Sequence, residues 1–127
     1  MIKVYQTKYG LEGNCFAACI ASLFDVGINE IPFLSDYQDD WDEYLKALNL
    51  VLRNKFGVVM VYGELNDWED YLKENFIDSY YIVSGDSNKG LGHAVIYKNG
   101  ELFHNPNKLG TEIINEKIIY VFLKLHL

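Results

Sequence analysis

A chain of 127 residues, half of them hydrophobic and 15% aromatic, has room for one compact domain over residues 1–127 and enough apolar material to fill it, which excludes a disordered chain. A formal charge of −7 argues against binding the phosphate backbone of a nucleic acid. No apolar run reaches bilayer-spanning length, and Met1-Ile2-Lys3-Val4-Tyr5 has neither region of a signal peptide, so a cytoplasmic location with no membrane partner is expected.

In chain order, Ile2 to Thr7 reads as a short strand or extended arm. A turn cluster follows over Tyr9 to Asn14 and delivers the chain to a helix, with Asn14 as its N-cap. From Cys15 to Phe24 only Ser22 is clearly polar, so this helix is expected to run through the middle of the molecule and to end at Gly27. A connector through Pro32 leads to an amphipathic helix between Asp39 and Phe56, which Gly57 caps. Val58 to Tyr62 reads as a buried strand. Asn66 or Asp67 then caps a third helix, in which Trp68, Tyr71 and Leu72 share a face.

Ser79 to Ser84 is a further predicted strand, and Gly85 to Gly92 a mobile glycine-rich loop. His93 to Tyr97 and Glu101 to His104 flank Asn99-Gly100 as a hairpin. Lys117 to Leu125 forms a last strand, placed centrally in the sheet. Helices first and a mostly antiparallel sheet afterwards make an α+β pattern: a central N-terminal helix packed on the sheet.

Cys15 and Cys19 lie four apart, a spacing that suits one helix face and fits a disulfide poorly. The three histidines, His93, His104 and His126, show no paired metal spacing, so no metal or other cofactor is expected. A cysteine is more often core than nucleophile, and Cys19, one turn inside the helix, fits that reading. Cys15 occupies the first turn, where unpaired N–H groups and the helix dipole favour a thiolate. Its base would be a histidine. Two candidates lie on the hairpin, His93 beside the glycine-rich loop, where a substrate could reach it, and His104 at the end of the partner strand; His93 is favoured, and His126 reads as a surface residue.

The orienting residue depends on hairpin register. A two-residue Asn99-Gly100 turn sets His93 opposite Pro106 and directs Asn105 to the other face. A three-residue Lys98-Asn99-Gly100 loop sets Tyr97 opposite Glu101 and His93 opposite Asn105, so that the asparagine orients the imidazole. The second register is the one expected here. Gln6 is a candidate amide donor to an oxyanion, together with the Cys15 backbone N–H. Gly13, Asn14 and Gly92 are expected to bind substrate. Specificity is expected to reside in the Gly85 to Gly92 loop and the Phe33 to Tyr37 region.

Gln6, then Gly13-Asn14-Cys15-Phe16-Ala17-Ala18-Cys19-Ile20-Ala21-Ser22-Leu23, then Gly92-His93-Ala94-Val95, then His104-Asn105-Pro106, resemble the papain-like cysteine peptidase superfamily, nearest its compact bacterial members such as bacteriocin-processing peptidases. The chain is also similar to small bacterial and bacteriophage proteins with a Gly-Asn-Cys…Ala-Cys-x-Ala-Ser-Leu core, a later His-Ala-Val and a His-Asp-Pro. The resemblance runs in order through nearly the whole chain. It implies a papain-like fold, with Cys15 as nucleophile, His93 as base, Asn105 as orienting residue and Gln6 as oxyanion donor. Those relatives often carry Asp at the position of Asn105.

The expected activity is therefore that of a thiol peptidase or related hydrolase acting on a peptide or isopeptide bond of a peptide or protein substrate. Acyl transfer, transglutamination and deamidation use the same machinery. An alternative is a non-enzymatic interaction module of phage or bacterial origin, with the acidic stretches Asp36 to Glu43 and Glu64 to Glu74 meeting a partner.

Overall fold

The computed structural model describes residues 1–75 and 79–125. The fold is α+β, with N-terminal helices packed on a five-stranded antiparallel sheet. Helix α1 spans Cys15–Leu23, α2 Trp41–Val51 and α3 Leu65–Asn75; the strands are β1 Val58–Glu64, β2 Tyr80–Ser87, β3 Gly92–Lys98, β4 Glu101–His104 and β5 Ile113–Lys124. Their order across the sheet is β1-β5-β2-β3-β4, which puts the last strand in the interior of the sheet. The final strand is thus longer than the sequence predicts and, as predicted, internal. No single helix among the described residues is long and apolar enough to cross a membrane.

Both faces of the sheet are covered. On one, Ile82, Ala94, Ile96 and Tyr120 meet α1 and the Tyr44, Leu48 and Leu52 side of α2. On the other, Tyr81, Val83, Val95, Ile119 and Val121 form a second core, against which Leu65 and Trp68 of α3 pack. Helix α1 reaches β3 closely because Ala17, Ala18 and Ala21 are small, and the Cys19 thiol donates to the Ala94 carbonyl at 3.5 Å. Ile20, with no exposed surface, contributes about 1.5–3 kcal/mol by its burial. The Leu72 side chain and His126 lie outside the described residues.

Several boundaries differ from the sequence reading. Ile2 to Thr7 take the second of the two expected forms, an extended arm, tied down by Ile2 N–H to Asp25 Oδ1 at 2.7 Å and Val4 N–H to Ser22 Oγ at 2.8 Å. Helix α1 ends at Leu23 instead of Gly27, because Asp25 turns left-handed at φ +54°. Helix α2 begins under Asp40, whose carboxylate accepts from the N–H groups of Asp42 and Glu43. It passes into a wider turn over Leu52–Phe56 before Gly57, at φ +63°, stops it as predicted. Strand β1 is a half-buried edge strand, with Val58 and Met60 in the core and Val59 and Tyr62 exposed. Helix α3 starts at Leu65, so Asn66 and Asp67 lie within it rather than capping it.

Strand β2 continues through Gly85, Asp86 and Ser87, which the sequence assigned to a loop. The reason is the neighbouring strand. Against β5 the register shifts on either side of Gly85 and Asp86, and a side chain on Gly85 would overlap the Asn115 carbonyl and stand 3.0 Å from Glu116 Cα. The glycine permits close approach of two backbones, not a turn.

Candidate active site

The chain enters the site through residues 6–14. Gly13 N–H donates to Gly10 O at 3.0 Å, and Asn14 N–H to Lys8 O at 3.3 Å, closing a tight loop before α1. Asn14 stands immediately before the helix but its side chain does not cap it. Its Oδ1 instead accepts from the N–H groups of Thr7 and Lys8, both at 3.0 Å, and its Nδ2 donates to Thr7 Oγ1 at 2.9 Å. The side chain faces the loop it fixes, because two backbone donors in line offer more than one helical N–H. Asn14 nonetheless lines the cleft described below.

Gln6 is buried, and its Nε2 donates to Lys8 O at 3.0 Å. That bond fixes which end of the amide is nitrogen and leaves a second N–H. Gln6 Oε1 is buried without a hydrogen-bond partner among the described residues. The arm that carries Gln6 is clamped to the chain after β4: Gln6 N–H donates to Pro106 O at 3.0 Å, and His104 Nε2 donates to Val4 O at 2.7 Å. His104 therefore holds the arm and does not line the cleft.

Cys15 opens α1 half-buried, and Cys19 is fully buried in the core as expected. Burial pushes the Cys15 thiol above its ordinary range; the N–H groups of Ala94, Phe16 and Cys15 itself pull the other way and are outweighed. The thiolate expected from the helix terminus alone is therefore not the resting state, because desolvation disfavours the charged form. Cys15 lies against the backbone of Ala94, the residue after His93.

The hairpin does not take the expected three-residue loop. Asn99 and Gly100 are both left-handed, at φ +54° and +81°, and Lys98 pairs with Glu101 around a two-residue turn. Tyr97 then pairs with Leu102, but Ile96 pairs with His104, so Phe103 is an extra residue in β4. This bulge reverses the parity of the residues beyond it and returns Asn105 to the face of His93. Phe103 packs on Tyr80 at 4.8 Å between ring centres, a contact that local alternation does not foretell. The two residues meet after all, with His93 Nε2 2.8 Å from Asn105 Oδ1.

The loop after β4 fixes the proton. Asn105 Nδ2 donates to Thr111 O at 2.7 Å, and Asn107 N–H donates to Asn105 Oδ1 at 3.0 Å. Asn105 Oδ1 therefore faces His93 and only accepts, so Nε2 carries the imidazole proton and Nδ1 presents a lone pair. Burial lowers the His93 pKa below the imidazole range, partly offset by the bond to Asn105. At neutral pH the cleft therefore holds a neutral thiol at Cys15 and a neutral imidazole at His93, the latter oriented by Asn105.

Cys15, His93 and Gln6 line one cleft of about 720 Å³, with Gly13, Asn14 and Gly92 on its walls. Asn105 stands behind His93, outside the lining. The glycine-rich loop is less free than its composition suggests: Asn88 N–H donates to Glu112 O at 3.0 Å, and Asn88 Oδ1 accepts from Glu112 N–H at 2.9 Å. No family model, curated protein or solved structure matches the chain. Among the described residues no cluster of His, Cys, Asp or Glu is suited to a metal ion.

Sequence reasoning missed Asn107 and Thr111, which set the Asn105 amide; the Asn105-Pro106-Asn107 sequence is itself a turn signal that pointed to them. It also missed the aromatic wall made by Phe16, Trp41 and Tyr120. Phe33 and Leu34 do line the cleft, as does Leu91 of the loop expected to govern specificity.

Asn105→Asp tests this network. A carboxylate keeps both acceptor bonds but sets an oxygen against Thr111 O, so urea unfolding is expected to show a loss of about 1–3 kcal/mol. The added charge stabilises imidazolium, and an NMR titration is expected to show the His93 pKa raised. Unchanged stability and an unchanged titration would contradict the assigned amide orientation.

Proposed function

We propose that the chain is a cysteine-nucleophile amide hydrolase of papain-like arrangement, acting on a peptide or isopeptide bond. The observation that carries this reading is the His93 imidazole, held by Asn105 with its Nδ1 lone pair free, in the same cleft as a cysteine at a helix start. Because thiol and imidazole are both neutral at rest, the proton moves during attack. Cys15 Sγ forms a bond to the carbonyl carbon as His93 Nδ1 takes its proton, and the carbonyl π electrons move onto oxygen. The resulting oxyanion is held by the Cys15 backbone N–H, one of the unpaired donors of the first helical turn, and by the second N–H of Gln6.

Collapse restores the carbonyl, the C–N bond breaks, and the imidazolium gives its proton to the departing amine. Water then attacks the thioester, His93 takes a proton from it, and Cys15 leaves as the thiol. The same acyl-enzyme meeting an amine in place of water gives acyl transfer. Asparagine orients His93 without adding charge, consistent with a base that must be neutral to act.

Intact-mass measurement of iodoacetamide alkylation at pH 7 tests the pair. The expected result is one adduct on Cys15, none on buried Cys19, and a rate at least about tenfold lower in His93→Ala, within the usual range for a lost general base. Equal labelling of both cysteines, or a rate indifferent to His93, would overturn the reading.

A further inference from the structure

The cleft over Cys15 has two apolar sides of different origin. One is aromatic: Phe16 lies 4.8 Å from Tyr120 and 5.9 Å from Trp41 between ring centres, and Tyr44 also lines the cleft. The other is a rim of three leucines from three separate loops, Leu11, Leu91 and Leu109, which are 83%, 36% and 65% exposed. A single exposed leucine is ordinary. Three that line one cleft together with several aromatic side chains give it the largely apolar lining that marks a binding site.

The rim is built before any ligand arrives. Leu11 sits in the turn closed by Gly13 N–H to Gly10 O. Leu91 O accepts from Ser87 N–H at 3.0 Å, and Leu109 N–H donates to Asn107 Oδ1 at 2.6 Å. Asn107 is the same residue that fixes Asn105, so rim and catalytic histidine share one loop.

Charge narrows the ligand further. Three charged residues line the cleft: Asp86, Lys89 and Lys117. Asp86 and Lys117 pair with each other at 2.9 Å, which leaves Lys89 as the lining's net charge in a chain of −7. Lys89 thus offers one positive partner at the edge of the cleft on an acidic protein, and a single charge of this kind attracts an anionic group.

We propose that the cleft takes a peptide whose acyl portion carries a bulky apolar side chain, aromatic or leucine-like, next to a carboxylate drawn by Lys89. This rests on Cys15 being the acylated residue. The apolar side chain fills the space between the aromatic wall and the leucine rim and excludes water from the thiol, and the carboxylate sets the direction in which the peptide lies.

Four acetylated dipeptidyl chloromethyl ketones test it, ending in Glu-Phe, Glu-Leu, Glu-Ala and Lys-Phe, with Cys15 modification followed by intact mass. The expected result is inactivation by Glu-Phe and Glu-Leu at least about tenfold faster than by Glu-Ala, a discrimination within the range of a lost apolar contact. Lys-Phe is expected to react more slowly than Glu-Phe, with that order reversed in Lys89→Glu. The double variant Leu11→Ala with Leu109→Ala is expected to bring the Phe to Ala ratio toward one. His93-dependent iodoacetamide labelling together with a flat rate across the four peptides would overturn this proposal alone. Absence of His93-dependent labelling by iodoacetamide would overturn the underlying hydrolase reading with it.

Discussion

His93→Ala is expected to lower the rate of amide hydrolysis by about 10²–10⁴-fold, and Cys15→Ala to reduce it to background, with the double variant no worse than Cys15→Ala alone. The reason is that in the proposed mechanism the two residues act as one device. Burial holds the Cys15 thiol above its ordinary range and His93 below its own, so the thiol needs a base in place, and without the thiol the base has no acyl-enzyme to form or hydrolyse. Effects of residues that act as a unit do not add. Release of an aminocoumarin from an acyl-peptide amide with a Phe or Leu acyl residue measures all four proteins. Losses that sum in the double variant would show two independent contributions and contradict the pair.

Gly85→Ala is expected to destabilise the fold by about 3 kcal/mol and to lower the melting temperature by about 10 °C for a chain of this length. The added methyl would overlap the Asn115 carbonyl in β5, an interior strand of the sheet. Backbone cannot step aside as a flexible side chain does, so β2 and β5 must part at their bulge. Gly85 is also the register partner of His93, and the same displacement is expected to slow Cys15 alkylation. A melting curve by circular dichroism within about 2 °C of the parent would show that the strands have room and that the glycine serves another purpose.

Chemistry carried by residue type and short spacing is legible in the sequence. A cysteine behind a glycine-bearing loop opens a helix, a histidine opens a strand, and an asparagine follows the partner strand; the structure puts Cys15 and His93 on one cleft and Asn105 in a hydrogen bond with His93. The buried helix α1 is legible because its apolar residues leave no solvent face. Features that depend on contacts between distant segments are not. The bulge at Phe103 accompanies packing on Tyr80, so the three-residue loop expected at Lys98 to Gly100 does not form, although Asn105 still reaches His93.

Asn14 reads as a cap because any asparagine before a helix does. Its true partners, Thr7 and Lys8, become neighbours only when the loop closes. Gly85 reads as a turn because glycine is ambiguous between freedom and close approach, and only the position of β5 decides. The direction of the thiol's shift escapes a local reading for a related reason: the helix terminus is a local property, whereas desolvation belongs to the assembled core.

The central claim is that Cys15 is a neutral thiol activated by His93, and the pH dependence of its alkylation from pH 4 to 10 tests this most directly. In the parent protein the rate is expected to hold through neutrality and fall only in acid, with a midpoint below the ordinary imidazole value of about 6.5, where His93 takes up its proton. In His93→Ala that limb disappears, and reaction rises only in alkali, above the ordinary thiol range, as burial requires. Superimposable profiles in the two proteins would contradict the claim.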